Sequence, residues 1–316
     1  MATLYSPSPT RIAKLSSPDL LRDLDLADDE LLYLLDLAAA VKQAPREYAH
    51  ALDGKYIALL FEKPSLRTRM TFELAMKQLG GDCVASDGPI GVREPLEDVA
   101  RNLDRWVNGI VARTFSQATV DGLAHWSSVP VINALSDMYH PCQALADMLT
   151  LREQFGELRG LKLAFVGDGN NVAHSLMLSA ARLGVDFAIA TPRGYEPNPD
   201  IVAQAEGLAV TFGASMTVTG DPEEAVTGAH AVYTDVWASM GQESEASRRK
   251  KAFADFQVNE VLFGQARPDA VFMHCLPAKR GQEVTNGVIE SQRSVVFDQA
   301  ENRLHTQKAL LLMTLA

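Results

Sequence analysis

Residues 56–69 read YIALLFEKPSLRTR. The apolar run Tyr56–Phe61 is too short for a helix and is closed by a lysine-proline pair. It predicts a buried strand. Ser65 then opens a helical pattern that stops at Gly80-Gly81, a C-capping signal. Strand, turn and helix form the first half of a βαβ unit, and the same alternation extends on both sides. Strand patterns lie at 83–86, 109–113 and 129–133, and helical patterns near 28–43, 67–79, 95–107 and 117–126. Such repetition predicts a parallel sheet with helices on both faces.

A long helical pattern over 141–155 leads into a second alternation. Its strands are expected at 161–166, 185–190, 215–219, 231–236 and 270–274, and its helices near 171–183, 199–213, 245–256 and 284–290. A final helical pattern covers 301–315. The fold class is therefore α/β, with two doubly wound parallel-sheet domains linked by helices. The expected domains are residues 1–147 and 148–316.

Length agrees, since 316 residues exceed one ordinary domain of about 100–200. With 47% hydrophobic and 22% charged residues, the chain has globular composition. Twenty-nine Lys and Arg against 40 Asp and Glu give a net charge of −11. That surface repels nucleic acid and anionic membrane, so neither is expected as a partner. Cys83, Cys142 and Cys275 show no metal-ligand spacing and fit a reduced, cytoplasmic setting. The polar N-terminus is unlike a signal peptide, and no apolar run suggests a membrane span.

In open α/β sheets, ligands bind beyond the C-terminal ends of the strands. Lys63-Pro64-Ser65-Leu66-Arg67-Thr68-Arg69 has this placement at a helix start, where free N–H groups, two hydroxyls and a guanidinium suit an anion. A capped helix with a solvated basic face is the plainer reading. His140-Pro141-Cys142-Gln143 offers a donor to a carbonyl and an amide, or simply a helix-start proline beside a core histidine. Gly167-Asp168-Gly169-Asn170-Asn171 is similar to a dinucleotide fingerprint, but Val172 replaces the third small residue. The next strand also lacks a ribose-binding acid. Its asparagines suit a small zwitterion, or a tight turn. Asp235 at a strand end can hold an ammonium group, and Ser239-Met240-Gly241 after it can form a closing loop. Cys275 in His274-Cys275-Leu276-Pro277 is a positioning thiol or a small buried residue. Arg303 is a ligand arm or a surface charge.

Taken together and in order, FEKPSLRTR, HPCQ, GDGNN, DVWASMGQE, HCLPAKRG and AENRLH resemble the ornithine carbamoyltransferases of the aspartate/ornithine superfamily. The resemblance runs from about Leu24 to the C-terminus. It implies transfer of the carbamoyl group of carbamoyl phosphate to the δ-amine of L-ornithine, giving citrulline and phosphate. A related transferase acting on putrescine or an N-acylated ornithine is the alternative. By position, Ser65, Leu66, Arg67 and Thr68 would bind the phosphate. Arg113, His140, Gln143, Cys275, Leu276 and Arg303 would surround the carbamoyl end. Asn171, Asp235, Ser239 and Met240 would hold ornithine. Cys275, Arg113, His140 and Asp235 would carry the catalytic roles.

The resemblance also implies a cis Leu276–Pro277 peptide and a last helix returning to the first domain. It implies no cofactor and no metal, and a homotrimer or an assembly of trimers. Lys63, Arg67, Arg69, Arg113, His140 and Arg303 would together concentrate positive charge at the site. Two departures stand out. Leu66 occupies a position that is often threonine. The segment 86–95, SDGPIGVREP, places Pro89 and Val92 where the family often has a glutamine and a basic residue that reach a neighbouring subunit, with Arg93 one position away. Carbamoyl phosphate binding from the neighbour is therefore expected to be altered.

Overall fold

The computed structural model describes residue 7, residues 11–238 and residues 243–316. The chain divides into two compact units, Met1–Leu149 with Glu301–Ala316, and Thr150–Ala300.

In the first unit α1 (Asp28–Gln43) precedes β1 (Tyr56–Phe61), α2 (Arg67–Gln78), β2 (Asp82–Asp87), α3 (Leu96–Leu103), β3 (Gly109–Arg113), α4 (Gln117–Trp126) and β4 (Val131–Leu135). The four strands are all parallel, in the order β2-β1-β3-β4. Every residue of β3 is buried, as expected for a strand covered on both faces. Ala58, Leu60, Ile110, Ala112 and Val131 pack with Ala100, Val120 and Leu123 from the covering helices. The sheet order reverses between β1 and β3, so the loops leaving these two strands diverge and open a crevice. The motif 62–69 follows the first strand, and Arg113 ends the second.

α5 (Pro141–Phe155) carries the chain into the second unit. There follow β5 (Lys162–Val166), α6 (Asn171–Leu183), β6 (Asp186–Ala190), α7 (Pro199–Phe212), β7 (Met216–Thr219), α8 (Pro222–Val226) and β8 (Ala231–Thr234). After them come α9 (Ala246–Ala252), α10 (Glu260–Phe263), β9 (Val271–His274), α11 (Asn286–Ile289) and α12 (Val296–Leu315). This sheet is also wholly parallel, in the order β7-β6-β5-β8-β9, and reverses between β5 and β8. GDGNN leaves one of these strands and Asp235 leaves the other.

Several boundaries differ from the sequence reading, for identifiable reasons. β4 begins at Val131, two residues late, because Pro130 has no N–H for the ladder. It also runs through the polar Asn133, whose amide donates to the Leu21 carbonyl at 2.8 Å. α3 ends at Leu103 because Asp104 turns away to accept from the Ser127 hydroxyl at 2.7 Å and the Ser128 N–H. α9 ends at Ala252, with a 3-10 turn at Ala254–Phe256. α12 starts at Val296, five residues before the expected 301.

Candidate active site

α2 begins at Arg67, with Leu66 at its N-cap and no acidic residue in its first turn. Its first amides thus face an anion-compatible field. Leu66 makes no side-chain cap bond and is 68% exposed, and its apolar side chain leaves only the backbone N–H to offer an anion. Thr68 is buried, and its hydroxyl accepts from Arg303 Nη2 at 3.0 Å. Arg303 Nη1 donates to Gln143 Oε1 at 2.5 Å, and Gln143 Nε2 donates to Asp147 at 2.8 Å. The Gln143 amide therefore links Arg303 to Asp147, a role the sequence did not suggest.

Arg113 closes β3 at a register shift, opposite an extra residue, Ala134, in β4. It is buried, as are His140 and Arg303. Burial holds the His140 imidazole well below the usual histidine range, reinforced by Arg303, Arg113 and Arg67. His140 is thus neutral at physiological pH and adds no positive charge to the cluster. Arg69 contributes none either, because it pairs with Glu73 at 2.9 Å and Asp87 at 2.6 Å. Lys63 lies over the Phe115 ring at 4.6 Å. Of the six groups expected to concentrate charge, Arg67, Arg113 and Arg303 are the cations that surround His140.

Glu62, which the sequence reading left without a role, bridges two loops at the crevice. It accepts from the Ile90 N–H at 2.9 Å and the Phe115 N–H at 2.8 Å. One carboxylate thereby fixes the atypical 86–95 segment beside the end of β3.

In the second unit the Asp235 carboxylate is buried and organised by three donors. Cys275 Sγ donates to Oδ1 at 3.0 Å, the Val236 N–H to Oδ1 at 2.7 Å, and Asn170 Nδ2 to Oδ2 at 2.8 Å. Asn170, to which the sequence reading gave no separate role, thus holds Asp235. It is also the N-cap of α6, accepting from Val172 and Ala173. An asparagine directly before a helical pattern is the signal that could have identified it. Asn171 occupies the first helical position.

The second glycine of GDGNN has a steric cause. A Cβ on Gly169 would lie 2.2 Å from the Pro197 backbone nitrogen and 2.4 Å from the Glu196 carbonyl carbon. The segment after β6 fills that space, so the glycine serves chain packing, unlike its counterpart in a dinucleotide loop.

Asp168 and Arg249, also without a role in the sequence reading, form a buried ion pair at 2.8 Å. Arg249 donates further to the Trp237 carbonyl at 3.0 Å and to Glu245 at 3.1 Å, with its guanidinium 5.0 Å from the Tyr195 ring centre. Burial pushes the Asp168 carboxyl up to about 6 in spite of Arg249. Ser239 and Met240 lie outside the described residues.

Cys275 precedes a cis Leu276–Pro277 peptide, and Leu276 packs on the core of the second unit. Asp235, His274 and Cys275 bring ligand-type atoms within 4.8 Å of one another. Both imidazole nitrogens of His274 are nevertheless occupied, by Leu276 N–H and by Glu283. The trio therefore reads as a hydrogen-bonded cluster. Chemically, the first unit offers a cationic pocket for a phosphorylated group, and the second offers a carboxylate-thiol pair for an amine. No described helix is long and apolar enough to cross a membrane.

Comparison with known proteins agrees with this division of labour. Residues 18–153 match the aspartate/ornithine carbamoyltransferase carbamoyl-P binding domain, and residues 159–314 match the Asp/Orn binding domain of the same family. An ornithine carbamoyltransferase of Anoxybacillus flavithermus is 51% identical over 311 residues, covering 97% of this chain and 99% of the relative. The solved ornithine carbamoyltransferase of Pyrococcus furiosus is 48% identical with a TM-score of 0.92, covering 96% of this chain and 97% of that one. An acetylornithine transcarbamylase solved with acetylcitrulline is 32% identical with a TM-score of 0.85, covering 94% and 99%. With both halves matched in order and half of its residues shared with such relatives, the chain belongs to the aspartate/ornithine carbamoyltransferase family.

Proposed function

We propose that the protein is an ornithine carbamoyltransferase, forming L-citrulline and phosphate from carbamoyl phosphate and L-ornithine. The observation that carries this reading is the Asp235 carboxylate, aligned by Asn170 and bonded to the Cys275 thiol. Such a pair suits a substrate ammonium that must be held, relieved of a proton and turned toward an electrophile.

Ser65, the Leu66 N–H, Arg67 and Thr68 take the phosphate. Arg303 and Arg113 bind the oxygens between phosphate and carbonyl, and neutral His140 donates to the carbonyl oxygen. Asn171, with Ser239 and Met240, takes the α-substituents of ornithine, while Asp235 and Cys275 face the δ-amine. Once that amine has lost its proton, its lone pair attacks the carbamoyl carbon. A C–N bond forms and negative charge develops on the carbonyl oxygen, where the cations and His140 stabilise it. Collapse breaks the carbon–oxygen bond to phosphate, which departs with that electron pair into the α2 cradle and takes up the proton that the attacking nitrogen sheds. Holding both substrates together supplies up to about 7–11 kcal/mol of the acceleration. The citrulline formed serves arginine formation.

The proposed assembly is a homotrimer or a group of trimers in the cytoplasm. Leu66, Met70 and Leu74 recur at helical spacing on α2 and are exposed, as is Val84 on the edge strand β2. An uncovered apolar stripe beside a sheet edge favours burial by a second copy. The free thiols Cys83, Cys142 and Cys275 fit a reducing compartment.

The deciding assay supplies carbamoyl phosphate with ornithine, N-acetylornithine or putrescine in turn and measures the carbamoylated product. Turnover confined to ornithine is expected. Turnover of another amine in its place would replace this reading.

A further inference from the structure

His274 ends β9, and its side chain is sealed from solvent, as is that of Glu283. The Leu276 backbone N–H donates to His274 Nδ1 at 2.9 Å, and His274 Nε2 lies 3.1 Å from Glu283 Oε1. A backbone N–H is only a donor, so Nδ1 must present a lone pair to it. The imidazole therefore carries its one proton on Nε2 and gives it to Glu283. An imidazolium would lose the Leu276 bond. Glu283 Oε1 is itself held by the Lys279 N–H at 2.5 Å. The His274 backbone is anchored as well, its N–H donating to Gln299 Oε1 at 3.0 Å.

The backbone at the end of this chain of bonds is unusual. Leu276 has φ +56°, the one non-glycine residue of positive φ among the described residues. A side chain with a Cβ adopts that region only when its surroundings impose it. Leu276 directly follows Cys275, whose thiol donates to Asp235 at 3.0 Å. Any relaxation of the Leu276 backbone thus moves the thiol.

We propose that Glu283 and His274 are positioning residues: Glu283 fixes the imidazole tautomer, and His274 Nδ1 holds the Leu276 N–H and so aims Cys275 at Asp235. The proposal rests on the carbamoyl-transfer reading, and neither residue need touch substrate.

The test uses the full-length protein labelled with 15N-histidine, with long-range proton–nitrogen correlations recorded at about pH 7.5. The chain has seven histidines, and the His274→Asn variant identifies the resonance. An Nε2–H tautomer is expected. An Nδ1–H tautomer overturns the proposal. In kinetics, His274→Ala should lower kcat by about tenfold or more. His274→Asn, whose Oδ1 replaces the acceptor at Nδ1, should recover most of that loss. Glu283→Gln should shift the His274 nitrogen resonances and lower kcat with them. Folded Ala and Asn variants of equal activity would also overturn the proposal. Should the variants fail to fold, the tautomer in the unaltered protein decides. A protein that carbamoylates no amine at all would sink the functional reading instead, while the tautomer still judges this one.

Discussion

Arg303 and Thr68 are 235 positions apart in sequence, yet the guanidinium of one donates to the hydroxyl of the other at 3.0 Å. The same guanidinium grips Gln143 at 2.5 Å. A planar fork satisfies two acceptors at fixed spacing, which a lysine ammonium on a flexible stem does not reproduce. Arg303→Lys should therefore lower kcat/KM for carbamoyl phosphate by about 10- to 100-fold, the worth of one to two charge-assisted hydrogen bonds. Steady-state kinetics at saturating ornithine checks this, and an unchanged value would remove Arg303 from the site.

Asp235→Asn keeps the size of the side chain and removes the carboxylate that accepts from Cys275, Val236 and Asn170. The ornithine KM should rise and kcat fall, together costing on the order of 100-fold or more in kcat/KM. Cys275→Ala removes one weak donor and should cost about tenfold. A larger loss for the cysteine than for the aspartate would reverse these roles.

Asp168 gives a pH signature. Its carboxyl is raised from 3.8 to about 6, mainly by burial. The folded state thus holds this proton more tightly than the unfolded chain does. The resulting stability is fully present below the unfolded value of 3.8 and is lost as pH rises through about 6. Over that window the wild type should lose up to about 3 kcal/mol relative to Asp168→Asn. Urea unfolding of both proteins at several pH values tests this. His140, held well below the usual range, should contribute no limb to the kcat profile near neutrality.

Gly169→Ala would drive a methyl group to 2.2 Å from the Pro197 nitrogen, a backbone atom that cannot rotate away. Overpacking of this kind costs about 1–3 kcal/mol. A lower melting temperature and weaker ornithine binding should appear together, because Asn170 is the next residue. A variant as stable as the wild type would show that the 196–197 segment yields.

Arg93 is exposed in the atypical 86–95 segment, which Glu62 anchors through Ile90. If Arg93 supplies the basic group for a neighbouring subunit, Arg93→Ala should raise the Michaelis constant for carbamoyl phosphate by about threefold to tenfold. An unchanged constant would end that assignment.

The order of elements was legible in the sequence because it is written locally. Apolar runs such as YIALLF, N-cap residues and glycine stops each act over a few neighbours. The helices at 28–43, 117–126, 141–155 and 171–183 accordingly coincide with α1, α4, α5 and α6. The loops singled out do leave the ends of parallel strands, since chain direction in such a sheet is set by the alternation alone. Partnership was not legible. Gln143 on Arg303, Asn170 on Asp235, Arg249 on Asp168 and Glu283 behind His274 depend on which buried polar atoms meet after folding. Arg69, basic in sequence, is neutralised by Glu73 and Asp87. The sequence alone determined a doubly wound α/β chain and which polar segments leave its strand ends. Tertiary structure decided which of those polar residues meet and hold one another, because a buried polar group must take whatever partner packing brings within hydrogen-bond reach.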